Sequence, residues 1–273
     1  MSEIVCDVCP HACHLREGQT GFCKARKNFQ GNNQCINYGK ITSLAIDPIE
    51  KKPLAGFYPG SLILSAGSFG CNLACPFCQN HEISMHGEDE SWYREISPRE
   101  LAELTMAHPE SIGLAFTYNE PLIGWEYIRD TAEYLSGSGK KIVLVTNGCV
   151  NLPVLERLVP YIDAMNIDLK GDREFYRELH GDYDTVKQTI AYAAKHCHVE
   201  ITTLVVPEKN DSEEFIRQEV EWLASLDKDI ILHLTRYFPR YHYTLPPTDV
   251  EVLRRLQKTA SVYLHDEIGR AHV

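Results

Sequence analysis

The sequence has little positive charge, no long apolar run and no basic, apolar start. Its 27 Lys and Arg residues are outnumbered by 38 Asp and Glu residues, so the formal net charge is −11. This balance argues against a nucleic-acid partner, because no basic surface dominates. No stretch approaches the roughly 20 apolar residues of a membrane-spanning helix, and residues 1–7 lack the pattern of a signal peptide. We therefore expect a cytoplasmic protein with no membrane partner.

Ten cysteines are present, and in the cytosol such a number predicts metal binding rather than disulfides. Cys71, Cys75 and Cys78 directly follow an apolar run and have the spacing C-x3-C-x2-C. Three thiolates on one loop can hold three corners of a cubane iron–sulfur cluster, which leaves one iron free to bind a molecule other than protein. The alternatives are a zinc knuckle or cysteines that only fill the core.

A second set of cysteines lies near the start of the chain, in a segment with little apolar content. A segment of this kind cannot fold on a core of its own, so we expect a metal to stabilise it. Zinc and an auxiliary iron–sulfur cluster both accept four thiolates, and both remain open. The predicted Cys-rich segment covers residues 1–58, and its predicted ligands are Cys6, Cys9, Cys13 and Cys23, with Cys35 as a spare.

From residue 59 onward, short β-branched runs alternate with amphipathic segments, which is typical of successive βα units. Ser97-Pro98-Arg99-Glu100 forms a capping box with proline at the first helical position, so a helix should begin there. Right-handed parallel connections then predict an α/β fold, a partial (β/α)6 barrel of the TIM type, over residues 59–265. The predicted strands are 61–66, 112–116, 141–146, 162–168, 199–206 and 229–234.

Polar side chains cluster where these strands end. In a parallel barrel the carboxyl ends of the strands open on one face, where active sites are built. The same face receives the loop that carries Cys71, so the sequence predicts one site there. Its candidate residues are Asn119, Glu120, Asn147, Asp168, Lys170 and His233.

The cysteine triplet, with Phe77 before its last member, resembles the cluster loop of the radical S-adenosylmethionine (radical SAM) enzymes. This resemblance implies a 4Fe-4S cluster whose open iron binds SAM, reductive cleavage of SAM to a 5′-deoxyadenosyl radical, and a reductant such as flavodoxin or ferredoxin. Tyr118 and Asn119 replace the glycine pair that usually precedes the glutamate of this family. The resemblance also implies contacts to SAM from Phe77, Asn119, Glu120, Asn147, Asp168, Lys170 and His233.

More closely, the chain resembles the radical SAM member of the AmmeMemoRadiSam system. The block Asp47-Pro-Ile-Glu-Lys-Lys-Pro-Leu54 and the N-terminal cysteines carry this resemblance and separate the chain from the related pyruvate formate-lyase activating enzymes. The substrate is not implied, although a protein is among the candidates. Two alternative functions are an activating enzyme for a glycyl-radical enzyme and a non-catalytic iron–sulfur electron carrier.

We interpret the last residues of the chain as the product of a sequencing artefact. Ile268-Gly-Arg-Ala-His-Val273 matches the translation of a common sequencing adapter in one reading frame. We therefore expect residues 266–273 to be an artefactual tail and the gene to continue.

Overall fold

The computed structural model describes residues 3–265 and the backbone of residues 267–270. Its strands, in chain order, are β1 (Ile4–Val5), β2 (His14–Leu15), β3 (Arg26–Phe29), β4 (Asn32–Cys35), β5 (Lys40–Ile41), β6 (Ser43–Pro48), β7 (Leu62–Gly67), β8 (Arg94–Glu95), β9 (Ser111–Phe116), β10 (Lys141–Thr146), β11 (Ala164–Asp168), β12 (His198–Val205), β13 (Ile231–Arg236) and β14 (Glu267–Arg270). Its α-helices are α1 (His81–Ser84), α2 (Pro98–Met106), α3 (Trp125–Leu135), α4 (Leu152–Leu158), α5 (Arg173–Glu178), α6 (Tyr183–Ala193), α7 (Glu213–Leu226) and α8 (Val250–Ala260).

One sheet of eight strands forms the centre of the protein, in the order β14-β13-β12-β11-β10-β9-β7-β6. All neighbours pair in parallel except β6, which runs antiparallel to β7. The six predicted strands are β7 and β9 to β13, with helices between them, so the predicted α/β fold is confirmed. The sequence did not predict β6 or β14. Residues 266 and 271–273 of the expected artefactual tail lie outside the described residues.

Helix α2 begins where the capping box predicts. The Ser97 hydroxyl accepts a hydrogen bond from the backbone N–H of Glu100, and the Glu100 carboxylate accepts one from the backbone N–H of Ser97. These two bonds satisfy donors that a helix start leaves without partners.

The amino ends of the parallel strands are covered by residues 49–56, which we call the floor segment. Because β6 pairs antiparallel with β7, the connection between them returns at the amino end of the sheet. Asn166 donates a hydrogen bond to the Pro53 carbonyl (2.8 Å), and the Glu200 carboxylate accepts from two backbone N–H groups of the floor segment (2.8–2.9 Å). An apolar layer packs here, made of Ile49, Leu54, Ile63, Ala115, Val143 and Ala164.

The N-terminal segment contains two small antiparallel hairpins, β1–β2 and β3–β4. It packs against the loop of residues 70–78, which we call the cysteine loop. Asn151 lies beyond the carboxyl end of β10, and its amide donates to the Asp7 carbonyl (2.7 Å). The segment therefore lies beside the carboxyl ends of the strands. Within the part of the chain that the structure describes, no helix has the length and apolarity needed to cross a membrane.

Candidate functional site

A cavity opens at the carboxyl ends of β9, β10 and β11. Its volume is about 170 Å³. It brings together the three cysteines of the cysteine loop and most of the polar residues predicted at strand ends. Its lining includes Cys71, Cys75, Cys78, Tyr118, Asn119, Glu120, Asn147, Asp168 and Lys170.

The three thiols at this cavity are shielded from water and close enough to repel one another once ionised. Burial, followed by negative neighbours, raises the pKa of Cys71 well above its usual range and that of Cys75 to about 12. A bare thiolate is therefore disfavoured here, and a bound metal reverses that preference, because ligation deprotonates a thiol. Burial also raises the pKa of Cys78.

No three His, Cys, Asp or Glu side chains among residues 3–265 converge as ligands of one metal ion. A cubane cluster does not require such convergence, because each thiolate binds a different iron atom. The thiols of the cysteine loop share one cavity without meeting at one point. Their chemistry and placement therefore fit a 4Fe-4S cluster better than a single ion.

Asp168 and Lys170 form an ion pair at the same cavity, with 2.7 Å between Oδ2 and Nζ. Burial by itself lowers the pKa of the Lys170 ammonium, but attraction to Asp168 and to the Cys75 thiol leaves that pKa raised. The Lys170 ammonium therefore stays charged beside the cysteine loop. The predicted alternation along β11 correctly placed the two side chains together.

Glu120 is fully buried and joins the strand ends. Its carboxylate accepts hydrogen bonds from Thr146 Oγ1 (2.6 Å) and from the backbone N–H groups of Asn147 (2.7 Å) and Leu122 (2.9 Å). Burial raises its pKa to about 7 despite these three donors. The carboxyl is therefore close to half ionised at neutral pH and gains from a cationic ligand.

The side chains of Asn119 and Asn147 are both engaged with the cysteine loop. Asn119 accepts from the Ser68 backbone N–H (3.0 Å) and donates to the Gly70 carbonyl (3.0 Å). Asn147 donates to Asn72 Oδ1 (2.9 Å) and lies 3.6 Å from Cys71 Sγ. These amides hold the loop, and their predicted contacts with SAM stay predictions.

His233 and Phe77 are not among the residues that line the cavity. His233 is fully buried inside the barrel, and its Nε2 lies 2.6 Å from Glu200 Oε2. It is the third residue of β13, so it sits nearer the amino end of the strand than the sequence indicated. Phe77 packs with its ring centroid 5.9 Å from that of Tyr243. The predicted contacts of both residues with SAM stay predictions.

Sequence reasoning missed a buried ion pair inside the barrel. Lys52 Nζ lies 2.8 Å from Asp47 Oδ2, and the Tyr118 hydroxyl donates to the same oxygen at 2.6 Å. Burial works to raise the pKa of Asp47, but these two donors leave it well below its usual range. Tyr118 lines the cavity at φ 74°, a left-handed conformation that costs a non-glycine residue about 1–3 kcal/mol. The sequence block Asp47–Leu54 marked this region as distinctive, but it indicated no role for Asp47 or Lys52.

The N-terminal cysteines lie together beside the cysteine loop. Cys6, Cys9 and Cys23 are buried, and Cys13 is half-buried. Burial raises the pKa of Cys9 to about 12, and repulsion from Cys23 adds to the rise. Cys35 differs, because its thiol donates a hydrogen bond to Asn37 Oδ1 (2.9 Å). Its predicted role as a spare ligand stays a prediction.

Relatives of this chain share its sequence over most of its length. Over 269 residues the chain is 38% identical to an uncharacterized protein of Methanocaldococcus jannaschii, covering 95% of this chain and 78% of that protein. A protein of the same organism named as a glycyl-radical enzyme activating enzyme is 26% identical over 218 residues, covering 74% and 86% of the two chains.

Solved structures share the fold at low sequence identity. A domain of the pyruvate-formate lyase-activating enzyme from Bacteroides vulgatus matches with a TM-score of 0.51 and 20% identity, over 58% of this chain and 99% of that one. QueE from Escherichia coli matches with a TM-score of 0.55 and 15% identity, over 85% and 94%. SuiB of Streptococcus suis, solved with S-adenosylmethionine, matches with a TM-score of 0.58 and 17% identity, over 74% and 48%.

The family model described as "Radical SAM superfamily" matches residues 67–219, more than half of the chain. The matched region contains the cysteine loop and every strand end that lines the cavity. Membership implies a 4Fe-4S cluster and SAM as cofactors. The chain belongs to the radical SAM superfamily and is an enzyme of that family.

Proposed function

We propose that this protein cleaves SAM reductively and uses the resulting 5′-deoxyadenosyl radical to abstract hydrogen from a substrate. The observation that carries the proposal is the shared cavity of the cysteine loop and the Asp168–Lys170 pair. Cys71, Cys75 and Cys78 would hold the 4Fe-4S cluster. That cluster, when bound, supplies the electron that breaks the sulfonium bond of SAM.

The residues around the cavity would bind and orient SAM. Lys170 would meet the methionine carboxylate, and Glu120 and Asp168 would accept hydrogen bonds from the methionine ammonium. Asn119 and Asn147 keep the cysteine loop in register with the strand ends through the bonds described above. Burial of these groups excludes water, which strengthens each charged contact and protects a radical from side reactions.

We further propose a reductant of the flavodoxin or ferredoxin type and a protein substrate. The second point is supported by the relative that bears an activating-enzyme name and by the structure of SuiB bound to its precursor peptide SuiA. Membership of the AmmeMemoRadiSam system is part of the same proposal. It is supported by the Asp47–Leu54 block, in which Asp47 and Lys52 form the buried pair beneath Tyr118.

The test is anaerobic cluster reconstitution followed by reduction in the presence of SAM, with 5′-deoxyadenosine measured by mass spectrometry. We expect product from the wild type and none from Cys78→Ala. Cys197→Ala is the matched control, because Cys197 lies outside the cavity and its thiol donates to the Ala193 carbonyl. A loaded wild type that makes no 5′-deoxyadenosine would contradict the proposal.

A second candidate function is activation of a glycyl-radical enzyme, favoured by the name of the 26% identical relative. It predicts a stable protein-bound glycyl radical, visible by electron paramagnetic resonance, after the reduced enzyme is mixed with SAM and a glycyl-radical partner. Cleavage of SAM without such a radical in any partner tested would leave the first function and remove the second.

A further inference from the structure

The sulfur atoms of the N-terminal cysteines accept hydrogen bonds. Asn33 Nδ2 donates to Cys6 Sγ at 3.3 Å, and the backbone N–H of Phe22 donates to Cys13 Sγ at 3.5 Å. Hydrogen bonds of this kind are made to the ligand sulfurs of iron–sulfur clusters. Cys35 and Cys197 show the opposite pattern, because each donates to an oxygen.

Cys9 and Cys23 have N–H donors as well. The backbone N–H groups of Ala25 and Arg26 contact the Cys23 sulfur. The His11 backbone and the Asn72 side chain contact the Cys9 sulfur. Thus each of the four sulfurs has N–H neighbours.

A buried arginine adds a second, independent observation. Arg26 is 1% exposed, and both its terminal nitrogens bond to Glu126 at 2.8 Å. Its Nε has no hydrogen-bond partner within residues 3–265. Its positive charge lies near Cys35, Cys6 and Cys23. A buried N–H without a partner is costly, and an anionic metal–thiolate group beside it would remove that cost.

The local fold also requires a stabilising group. The segment is built on hairpins of two and four residues per strand. Isolated two-stranded hairpins are marginal in water. A metal group held by four thiolates supplies the missing stability.

The same cysteines lie against both neighbours of Cys71. A Cβ added at Gly70 would stand 2.4 Å from the Cys23 carbonyl oxygen, so the two backbones are in direct contact. On the other side, Asn72 bonds to the Cys9 thiol, and its carbonyl lies 2.9 Å from His11 Nε2. Asn147 then connects Asn72 to Cys71.

We propose that Cys6, Cys9, Cys13 and Cys23 hold a second iron–sulfur cluster, a cubane, which passes electrons to the cluster on the cysteine loop. A tetrahedral zinc ion needs four sulfurs that converge on one point, and no such group of three side chains exists among residues 3–265. A cubane takes each thiolate on a different iron. Contact with Gly70 and Asn72 places the second cluster beside the first.

The electron-transfer role rests on the proposed function, whereas the metal site itself does not. In that role, an external low-potential one-electron carrier reduces the second cluster by one electron. The same electron moves on to the cluster at Cys71, which restores the second cluster to its oxidised state. No proton or group is transferred.

The test is iron, zinc and sulfide analysis of the full chain after anaerobic reconstitution, in three proteins. We expect about eight irons per chain in the wild type, about eight in Cys35→Ala, and about four with matching sulfide in Cys71→Ala/Cys75→Ala/Cys78→Ala. One zinc without sulfide in the triple variant, or no metal at all, would overturn the proposal. Neither result depends on SAM cleavage, so failure of the proposed function is seen separately.

A second measurement does not require removal of any N-terminal cysteine, which could unfold the segment. The electron paramagnetic resonance spectrum of dithionite-reduced wild type should show two clusters broadened by mutual spin coupling. The triple variant should show one uncoupled signal. A reduced wild type with a single uncoupled cluster would overturn the proposal.

Discussion

The ammonium of Lys170 lies 2.7 Å from the carboxylate of Asp168 at the rim of a cavity that also contains three thiols. If these charges bind the methionine moiety of SAM, Lys170→Met should weaken SAM binding by about tenfold or more, because a charged hydrogen bond contributes about 1.5–3 kcal/mol. Equilibrium dialysis of the reconstituted protein measures this change. Asp184→Asn is the control, because it breaks the exposed pair with Arg173. Unchanged SAM affinity in Lys170→Met would reduce the pair to a structural role.

Asn147 should influence the cluster itself. Its Nδ2 lies 3.6 Å from Cys71 Sγ, and donors to the ligand sulfurs favour the reduced state of an iron–sulfur cluster. Asn147→Ala should therefore lower the midpoint potential of the cluster. A redox titration followed by electron paramagnetic resonance reports that potential. Asn32→Ala, whose exposed amide bonds only to Gln30, should leave it unchanged. Equal potentials in all three proteins would show that Asn147 only shapes the loop.

Glu120 predicts a pH dependence of SAM binding. Its pKa of about 7, raised by burial, means that the carboxyl gains a proton as the pH falls below 7. The ionised form attracts the SAM ammonium, so SAM affinity should rise with pH from about 6 to 8 and then level off. In Glu120→Gln the affinity should be lower and independent of pH over that range. Calorimetric titration at several pH values, with the proton release it reports, checks this prediction. A pH-independent wild type would refute it.

Gly70 and Gly137 offer a matched pair for the contact between the N-terminal segment and the cysteine loop. Both have positive φ, 86° and 75°, but a Cβ at Gly137 meets open space, whereas one at Gly70 meets the Cys23 carbonyl. Gly137→Ala should cost about 1–2 kcal/mol through backbone strain alone. Gly70→Ala should cost clearly more and should also reduce the iron bound per chain. Urea unfolding and iron analysis measure the two effects. Equal losses of stability in the two variants would mean that the contact between Gly70 and the Cys23 carbonyl can adjust at little energetic cost.

Glu219 should make stability depend on pH. It is buried on α7, one oxygen bonds to Thr203 and the other has no partner within residues 3–265, and burial raises its pKa to about 8. The folded state therefore binds this proton more tightly than the unfolded state, where the pKa is about 4.3. The stabilisation is complete below about pH 4 and is lost as the pH rises towards 8. Glu219→Gln should flatten this decline, and exposed Glu251→Gln should not. Chemical unfolding at several pH values tests the difference.

Strand positions and the site at the carboxyl ends could be predicted from sequence, because β-branched runs and capping residues act locally. The capping box at Ser97 and the alternation of polar and apolar residues around Asp168 are examples. The antiparallel strand β6 could not be predicted, because only pairing with β7 makes Ser43–Pro48 a strand. The same applies to the hydrogen bonds of Glu200, whose partners lie 144 and 145 residues away in the chain.

The depth of His233 in the barrel could not be predicted from the sequence, for a physical reason. A histidine near a strand end is expected in the open cavity, yet a barrel interior has several layers, and one residue step along a strand decides which layer a side chain enters. His233 is fully buried and meets Glu200 deeper in the barrel. The hydrogen bond of Tyr118 could not be predicted for a similar reason. Its ring packs against Gly67, and its hydroxyl reaches Asp47.

The floor segment has a consequence for how such enzymes diverge. Asn166 and Glu200 hold this segment by hydrogen bonds. Asn166 is the third residue of β11 and Glu200 is the third residue of β12, so both lie near the amino ends of their strands. The cavity lies at the opposite, carboxyl ends. Loops at the carboxyl end can therefore lengthen, shorten or change sequence without loosening the closure at the other end. Changes in the loops around the cavity can then admit new substrates, while the hydrogen bonds of the floor segment keep the amino ends of the strands rigid.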